Sequence, residues 1–332
     1  MAESLAAGLN PTGQHDRALA GNVHPPRWIN PEPAKIYNLV VIGAGTAGLV
    51  TAAGAAGLGA KVALVESNLM GGDCLNFGCV PSKAIIRAAR IAAGIRASSQ
   101  FGISIPGDIR IDFAAVMERM RRLRAELSVN DSAERFRRLG VDVFIGHAGF
   151  DGSDSVIVEG KTLCFKRAVI ASGSRPSVPP IPGLAEAGYL TNETVFSLTE
   201  LPRRFAIIGG GPLGCELAQA FARLGAKVVL VEAAPRIMPR EDPDAAAIVR
   251  RQLERDGIRI LTNSNVTAVR KTEAGKLVRV SSGNTHDEIE FDDILVAIGR
   301  SPNVEGLRLE AAGVRHDARK GILVDDRLRT SN

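Results

Sequence analysis

The stretch from residue 38 to residue 66 alternates between apolar runs and small residues in a recognisable order. It starts with the apolar run NLVVI, passes through Gly43, Gly45 and Gly48 into an alanine-rich segment, and ends with the apolar run KVALVE. The two runs have the length of buried strands, and the segment between them has the length of a helix. The 22 uncharged residues from Leu39 to Ala60 are long enough to cross a bilayer. Their six glycines favour instead a strand, a tight turn, a helix and a second strand.

The same pattern recurs in the second half of the chain. The run FAIIGGGPLGCELAQAFARLGAKVVLVE begins at Phe205 and repeats the glycines as Gly209, Gly211 and Gly214. In each repeat an acidic residue follows the first glycine after 23 positions, Glu66 in one and Glu232 in the other. A G-x-G-x-x-G that follows a strand, opens a helix and is followed by an acid is typical of dinucleotide binding, since the glycines allow the turn and the close approach of a pyrophosphate. The chain therefore predicts two dinucleotide-binding units.

A proline-rich run and two similar strands indicate how these units are connected. A chain of 332 residues has room for about two domains. The proline-rich run GSRPSVPPIPGL, residues 173–184, favours a domain crossing, and the late strand DDILVAIGRSPN resembles the earlier KRAVIASG. We expect an α/β fold of two doubly wound domains, with residues 186–298 inserted between residues 37–185 and 299–332. Residues 1–36, rich in proline, glycine and polar residues, predict a flexible arm.

Composition narrows the class of protein. The net charge is a mild +5, and one cluster of arginines alternates with Glu118 and Glu126 at helical spacing, which favours a solvated helix face over a nucleic-acid surface. The arginines of that cluster are Arg119, Arg121, Arg122 and Arg124. Four cysteines are too few for a disulfide scaffold, and the N-terminus lacks the apolar core of a signal peptide. We therefore expect a cytoplasmic protein with neither a nucleic-acid nor a membrane partner.

The candidate chemistry lies in GGDCLNFGCVPSK, residues 71–83, where Cys74 and Cys79 are five positions apart. A zinc site would need a second short ligand pair, which the sequence does not offer, and a structural disulfide is disfavoured in a reducing compartment. Two free core thiols remain an alternative to a redox couple. Pro81 suits a first helical turn, so Cys79 lies close to a helix N-terminus, where the dipole and Lys83 favour a thiolate. Thiolate is the nucleophile of thiol-disulfide exchange.

With its two glycine motifs, this cysteine motif resembles the class I pyridine nucleotide-disulfide oxidoreductases, flavoproteins that include dihydrolipoamide dehydrogenase, glutathione reductase and mercuric reductase. The resemblance covers about residue 37 to the end of the chain. Asp73, the ELAQAFARLG run at 216–225 and PRED at 239–242 most resemble mercuric reductase and its bacterial relatives.

The resemblance implies FAD in the first unit and NAD(P)H in the second. Cys79 would face the flavin, Cys74 would exchange with substrate, and Lys83 would lie by the flavin and pair with Glu216. The substrate would be a small disulfide or a thiol-bound metal ion, with no metal site in the protein. The implied catalytic residues are Cys74, Cys79, Lys83 and Glu216. The implied cofactor-binding residues are Gly43, Gly45, Thr46, Ala47, Gly48, Glu66, Ser67, Gly72, Asp73, Lys83, His147, Ala148, Ser172, Gly173, Gly209, Gly211, Pro212, Leu213, Gly214, Glu216, Glu232, Val266, Gly299 and Arg300.

The choice between NADH and NADPH follows from charge. The carboxylate of Glu232 suits the free 2′-hydroxyl of NAD and would repel a 2′-phosphate, while Ala233 stands where users of NADPH in the family tend to place an arginine. We expect NADH to be favoured. The nearby Arg236 weakens that preference.

The chain also departs from the family pattern. Full-length relatives are homodimers that continue into an interface domain carrying a His-Glu pair, and none of the five histidines here stands in such a setting. Three hypotheses therefore remain open: a flavin- and NAD(P)H-dependent reductase, a truncated and catalytically idle nucleotide-binding fragment, and a thiol metal-binding protein without redox chemistry.

Overall fold

The computed structural model describes residue 9, residues 13–107 and residues 109–332. Parallel sheets flanked by helices confirm the α/β class. The α-helices are α1 (Gln14–Val23), α2 (Thr46–Gly57), α3 (Gly72–Asn76), α4 (Cys79–Arg96), α5 (Phe113–Ser128), α6 (Ala133–Arg138), α7 (Leu184–Ala187), α8 (Pro212–Leu224) and α9 (Pro243–Arg255). Short 3₁₀ turns occur at Ser98–Phe101, Val129–Asp131, Val195–Ser197 and Leu309–Ala312.

The strands group into two parallel sheets and several small antiparallel ones. They are β1 (Leu39–Ile42), β2 (Val62–Glu66), β3 (Asp142–Ile145), β4 (Ala148–Phe150), β5 (Ser155–Val158), β6 (Lys161–Cys164), β7 (Ala168–Ile170), β8 (Ser174–Pro176), β9 (Arg204–Ile208), β10 (Lys227–Val231), β11 (Arg259–Leu261), β12 (Ser264–Thr272), β13 (Gly275–Ser282), β14 (Thr285–Phe291), β15 (Asp293–Val296), β16 (Arg300–Pro302), β17 (His316–Asp317) and β18 (Gly321–Ile322).

The two glycine motifs open two sheets of the same topology. The first sheet has the parallel order β3-β2-β1-β7 and the second has β11-β10-β9-β15. In both, the strand before the glycine turn lies between two neighbours, and its apolar residues are buried on both faces of the sheet, as in Val40 and Val41 of β1. Each glycine turn therefore lies at the carboxyl edge of its sheet, where nucleotides bind in such folds.

The segment after the second sheet packs on the first. Strand β16 pairs with β8, and Phe150 N donates to the carbonyl of Leu307 at 2.8 Å. Val304, Leu309 and Val314 are buried in the core that also holds β1 and β2 residues. The inserted arrangement of domains therefore remains our interpretation of the chain order, with these contacts in its support.

Residues 13–36 differ from the flexible arm that composition predicts. Helix α1 buries Leu19 and Val23 completely, and Trp28 Nε1 donates to the carbonyl of Val143 at 3.0 Å. The amide of Asn30 exchanges two hydrogen bonds with the backbone of Ile145, at 2.8 and 2.9 Å. The prediction is thus wrong for this segment, which covers the open edge of β3; residues 1–8 and 10–12 lie outside the described residues.

The arginine cluster on α5 is a second correction. Arg122 is solvated and pairs with Glu126 at 2.7 Å, but Arg121 and Arg124 are buried, Arg124 completely. Helical spacing with nearby glutamates does not reveal which arginines face inward, because that depends on what packs against the helix. Here α1 packs against it.

Helices α4 and α5 join the two sheets. Ile85 of α4 and Met117 of α5 share one apolar core with Phe205 and Phe221 of the second unit. The cysteine motif of residues 71–83, called the redox motif below, includes the start of α4 and consequently lies between the units. None of the helices formed by residues 13–107 and 109–332 has the length and apolar character that crossing a bilayer requires.

Candidate redox and dinucleotide site

The first glycine turn forms one end of a cleft of about 730 Å³. Gly43 has φ +102°, and a Cβ there would overlap the carbonyl oxygen of Ala171; a Cβ on Gly48 would overlap the carbonyl oxygen of Gly43. Gly45 is the N-cap of α2, whose first N–H groups have no partner within the helix. Gly43 and Gly48 therefore stand where only glycine fits, next to a helix N-terminus that favours phosphate. The geometry fits the pyrophosphate of a dinucleotide.

The acid that closes each unit holds its own glycine turn. Glu66 accepts from the backbone N–H groups of Ala44 at 2.6 Å and Asn68 at 2.8 Å. Glu232 repeats this arrangement with Gly210 at 2.6 Å and Ala234 at 2.7 Å. Burial raises the pKa of Glu66, and the backbone N–H donors oppose that rise. Sequence spacing predicts only a contact with ribose, whereas the structure adds this bracing of the loop.

The redox motif touches the glycine turn directly. Gly72 begins α3 with φ +54°, and a Cβ on it would lie 2.6 Å from Gly45 Cα. Cys74 lies on α3 and lines the cleft, while Cys79 is the first residue of α4 and is exposed. The cleft that begins at the glycine turn is therefore also lined by the thiol of Cys74.

The two thiols are close enough to influence each other. Burial raises the pKa of the Cys74 thiol, and the hydrogen bond and charge interaction with Cys79 raise it further, whereas a hydrogen bond with Thr46 opposes the rise. Both cysteines are free thiols in the structure. The assignment of Cys79 to the flavin side rests on the resemblance and stays a prediction, since it is Cys74 that lines the cleft.

Lys83 and Glu216 form the ion pair that the resemblance implies. Lys83 Nζ donates to both carboxylate oxygens of Glu216, at 2.7 and 2.8 Å. Lys83 lies one turn after Cys79 on α4, and Glu216 lies on α8 of the second unit, so the pair links the two units beside the exposed thiol. Both side chains are partly exposed, at 58% and 40%. They remain within reach of a ligand.

Asp73 of the redox motif contacts one residue near each end of the segment 186–298. Its Oδ1 accepts from the buried Asn192 amide at 2.8 Å and lies 3.2 Å from Arg300 Nη2. Glu193 lines the cleft beside them, and burial raises its pKa, with Arg300 opposing and Asp73 adding to the rise. This set of charges lies next to Cys74.

The second glycine turn repeats the first with one difference. A Cβ on Gly209 or Gly214 would overlap a backbone carbonyl oxygen, as in the first unit, but a Cβ on Gly211 would meet nothing within 4 Å. Arg236 is engaged: its guanidinium donates to the carbonyls of Met238 at 3.0 Å, Pro239 at 2.8 Å and Glu241 at 2.9 Å. The open turn can receive a ligand, while Arg236 holds the neighbouring loop.

Most of the residues expected at the flavin site meet at the first cleft. Those that line it are Gly43, Gly45, Thr46, Ala47, Glu66, Ser67, Gly72, Asp73, Cys74, His147, Ala148, Ser172, Gly173 and Arg300. Gly299 is exposed next to Arg300, and Pro212 and Leu213 begin α8 after the second turn. The side chain of Val266 is buried in the core of the second unit with Ile208 and Val231, and its place among the cofactor-binding residues stays a prediction.

Sequence reasoning missed six polar residues of the cleft. They are Asn68, Ser174, Arg175, Glu193, Asn303 and Glu305. Arg175 binds Glu305 through two hydrogen bonds of 2.9 Å and also donates to Asn303 at 3.1 Å. The sequence does carry a signal for this region, because GSRP and GRSPN each follow a similar strand. The strands within these two runs, β8 and β16, pair with each other in the structure. Among residues 9, 13–107 and 109–332, no three His, Cys, Asp or Glu side chains cluster in a way that could hold a metal ion.

Comparison with known proteins places this geometry in context. The family model described as pyridine nucleotide-disulphide oxidoreductase matches residues 37–332. The chain is 34% identical to a mercuric reductase of Lysinibacillus sphaericus over 296 residues, which cover 89% of the chain and 54% of the relative. It is 35% identical to a dihydrolipoyl dehydrogenase of Acholeplasma laidlawii over 302 residues, which cover 90% of the chain and 88% of the relative.

A solved structure of a flavoprotein disulfide reductase is also similar to this chain. The HOCl-induced flavoprotein disulfide reductase RclA of Escherichia coli superposes with a TM-score of 0.75 at 31% identity, covering 89% of this chain and 64% of that one. The chain thus spans about half the length of the mercuric reductase that it matches.

Proposed function

Because the chain belongs to the pyridine nucleotide-disulphide oxidoreductase family, we propose that it is an FAD-dependent, NAD(P)H-driven reductase whose Cys74–Cys79 pair reduces a small disulfide or a thiol-bound metal ion. The observation that carries the proposal is the continuous cleft from the glycine turn of Gly43 to the thiol of Cys74. Relatives named mercuric reductase and dihydrolipoyl dehydrogenase support both substrate classes.

The first unit would hold FAD. Gly43, Gly45 and the N-terminus of α2 would bind its pyrophosphate, and Glu66, whose oxygens already brace the turn, would accept from its ribose. When bound, the flavin supplies two-electron transfer between a nicotinamide and a thiol pair.

The protein's own chemistry is thiol-disulfide exchange. In the dithiol state, the sulfur of Cys74 attacks one sulfur of a disulfide substrate and releases the other as a thiol, which leaves a mixed disulfide. Cys79 then attacks the sulfur of Cys74, releases the second substrate thiol, and closes the Cys74–Cys79 disulfide. Since burial keeps the pKa of Cys74 raised, its thiol must lose a proton before it attacks, and that proton can pass to the departing thiolate.

NADH is the proposed reductant. Glu232 presents a carboxylate at the second turn, which would repel a 2′-phosphate, and Arg236 is occupied by three backbone carbonyls rather than held free for such a phosphate. The protein is proposed to act in the cytoplasm.

The test uses the full chain reconstituted with FAD. Anaerobic addition of NADH should create two further titratable thiols per chain and a long-wavelength absorption band. Cys79→Ala should abolish that band, while Cys74→Ala should keep it and lose disulfide reduction. Failure to bind FAD would refute the proposal; FAD binding without NADH-driven thiols would support the idle-fragment alternative, and stoichiometric metal on the purified protein would support the metal-binding one.

A further inference from the structure

Helix α1 lies before the segment that the family model matches, yet it is built into the core. The match begins at residue 37, and α1 covers Gln14–Val23. Leu19 and Val23 are completely buried against core residues of the first unit. The family pattern therefore does not account for this helix or for its contacts.

The polar contact of α1 is a buried ion pair with α5. Asp16 Oδ1 accepts from Arg124 Nη2 at 2.7 Å, and Asp16 Oδ2 lies 3.7 Å from Arg121 Nε. The side chains of Asp16 and Arg124 are 1% and 0% exposed. Removing two charges from water costs free energy, so the pair adds little to stability by itself. Its buried geometry does hold α1 and α5 in one relative position.

Arg124 links Asp16 of α1 to the redox motif. Its Nη1 donates to the carbonyl of Asn76 at 2.8 Å, and the Asn76 amide donates to the carbonyls of Gly72 at 2.8 Å and Met70 at 3.1 Å. Asn76 thus ties the end of α3 back to its beginning. Cys74 lies between these two points.

A second contact links α1 to the chain that enters the motif. Met70 N donates to the carbonyl of Val23 at 3.0 Å, and the His24 ring contacts the carbonyl of Asn68 through Nδ1. Asn68 itself lines the cleft. Helix α1 therefore reaches Asn76 through Arg124 of α5, and it contacts the chain directly just before Gly71.

We propose that Arg124, held by Asp16 of α1, is a positioning residue for Cys74. A helix of five residues is too short to be stable by itself, so α3 depends on outside contacts for its geometry. Arg124 provides such a contact at the carbonyl end, where α3 has unsatisfied carbonyls. The inference rests on the proposed function for the role of Cys74, but its test measures the thiol and not turnover.

The test compares alkylation rates of three thiols in one reduced chain. Iodoacetamide labelling followed by peptide mass spectrometry reports Cys74, with the exposed Cys164 as reference and the buried Cys215 as a reporter of global opening. The first variant is Asp16→Asn. Because Arg124 would then be buried without its anion and the chain could fail to fold, the second is Asp16→Leu with Arg124→Met, which removes both charges and keeps an apolar volume. Glu126→Gln, which breaks the exposed pair with Arg122, is the matched control.

We expect the ratio of Cys74 to Cys164 labelling to rise by about tenfold in the double variant, as for the loss of one charge-assisted hydrogen bond. Cys215 labelling and the control should match wild type. A ratio within twofold of wild type in the folded double variant would overturn the proposal. So would a parallel rise at Cys215, which would mean global loosening. Absence of NADH-driven disulfide reduction by wild type would refute the proposed function and leave this comparison valid.

Discussion

The contact between Gly72 and Gly45 makes a quantitative prediction about how the redox motif and the nucleotide turn fit together. In Gly72→Ala the new Cβ would lie 2.6 Å from Gly45 Cα. Carbon atoms in contact stay about 3.5–4.0 Å apart, so the two loops must separate by roughly 1 Å. The left-handed φ of +54° adds about 1–2 kcal/mol, and the overpacking about 1–3 kcal/mol. We expect a loss of about 2–5 kcal/mol in the free energy of unfolding.

Two glycines of the same unit separate these effects. Gly59 has φ +84° but nothing within 4 Å of a Cβ, so Gly59→Ala should cost only the backbone strain of about 1–2 kcal/mol. Gly54 lies inside α2, also with open space, and Gly54→Ala should stabilise by about 0.5–1 kcal/mol.

Urea unfolding gives the stabilities, and flavin fluorescence gives the affinity for FAD. Because the loops of the cleft move apart only in Gly72→Ala, its dissociation constant for FAD should rise by roughly tenfold, equivalent to about 1.4 kcal/mol. The reasoning would be refuted if Gly72→Ala and Gly59→Ala lost the same stability and bound FAD equally well.

Three further predictions concern charge. Lys83→Met should slow NADH-driven thiol formation yet change stability by only about 0.2–1 kcal/mol, since its pair with Glu216 is exposed; a much larger loss in urea unfolding would contradict this. Glu232→Gln should lower the ratio of NADPH to NADH KM by roughly tenfold, because the repelling charge is gone while one turn contact remains; an unchanged ratio in steady-state kinetics would count against it. Hydrogen bonds from Arg175 lower the pKa of Glu305 from 4.5 to about 2, so the stability they contribute is complete above pH 4.5 and is lost as the pH falls towards 2. The difference in urea midpoint between wild type and Glu305→Gln should therefore shrink over that window, and a constant difference would disprove the assignment.

Sequence patterns predicted the parts of the site that depend on neighbours along the chain. The glycine turns, their closing acids and the cysteine motif each lie within one strand-turn-helix segment, where spacing determines which groups meet. Resemblance to the family then predicted the pair of Lys83 with Glu216, which are 133 positions apart and which no local pattern connects.

The burial of charge was not predictable in the same way. The arginines of α5 have the spacing of a solvated face, but Arg124 is buried because α1 brings Asp16 to it from 108 positions away. Composition likewise predicts a flexible arm for residues 1–36, because residue statistics do not include the edge of β3, which Trp28 and Asn30 contact.

The two glycine-turn units and the cysteine pair between them could be predicted from the sequence, because these features follow from local backbone geometry and side-chain type. The fold was needed to show that Cys74, Arg175 and Glu305 line one cleft, and that Asp16 of α1 holds the arginine that binds the redox motif. Those features depend on which surfaces exclude water together, and that is a property of the packed chain rather than of any one segment.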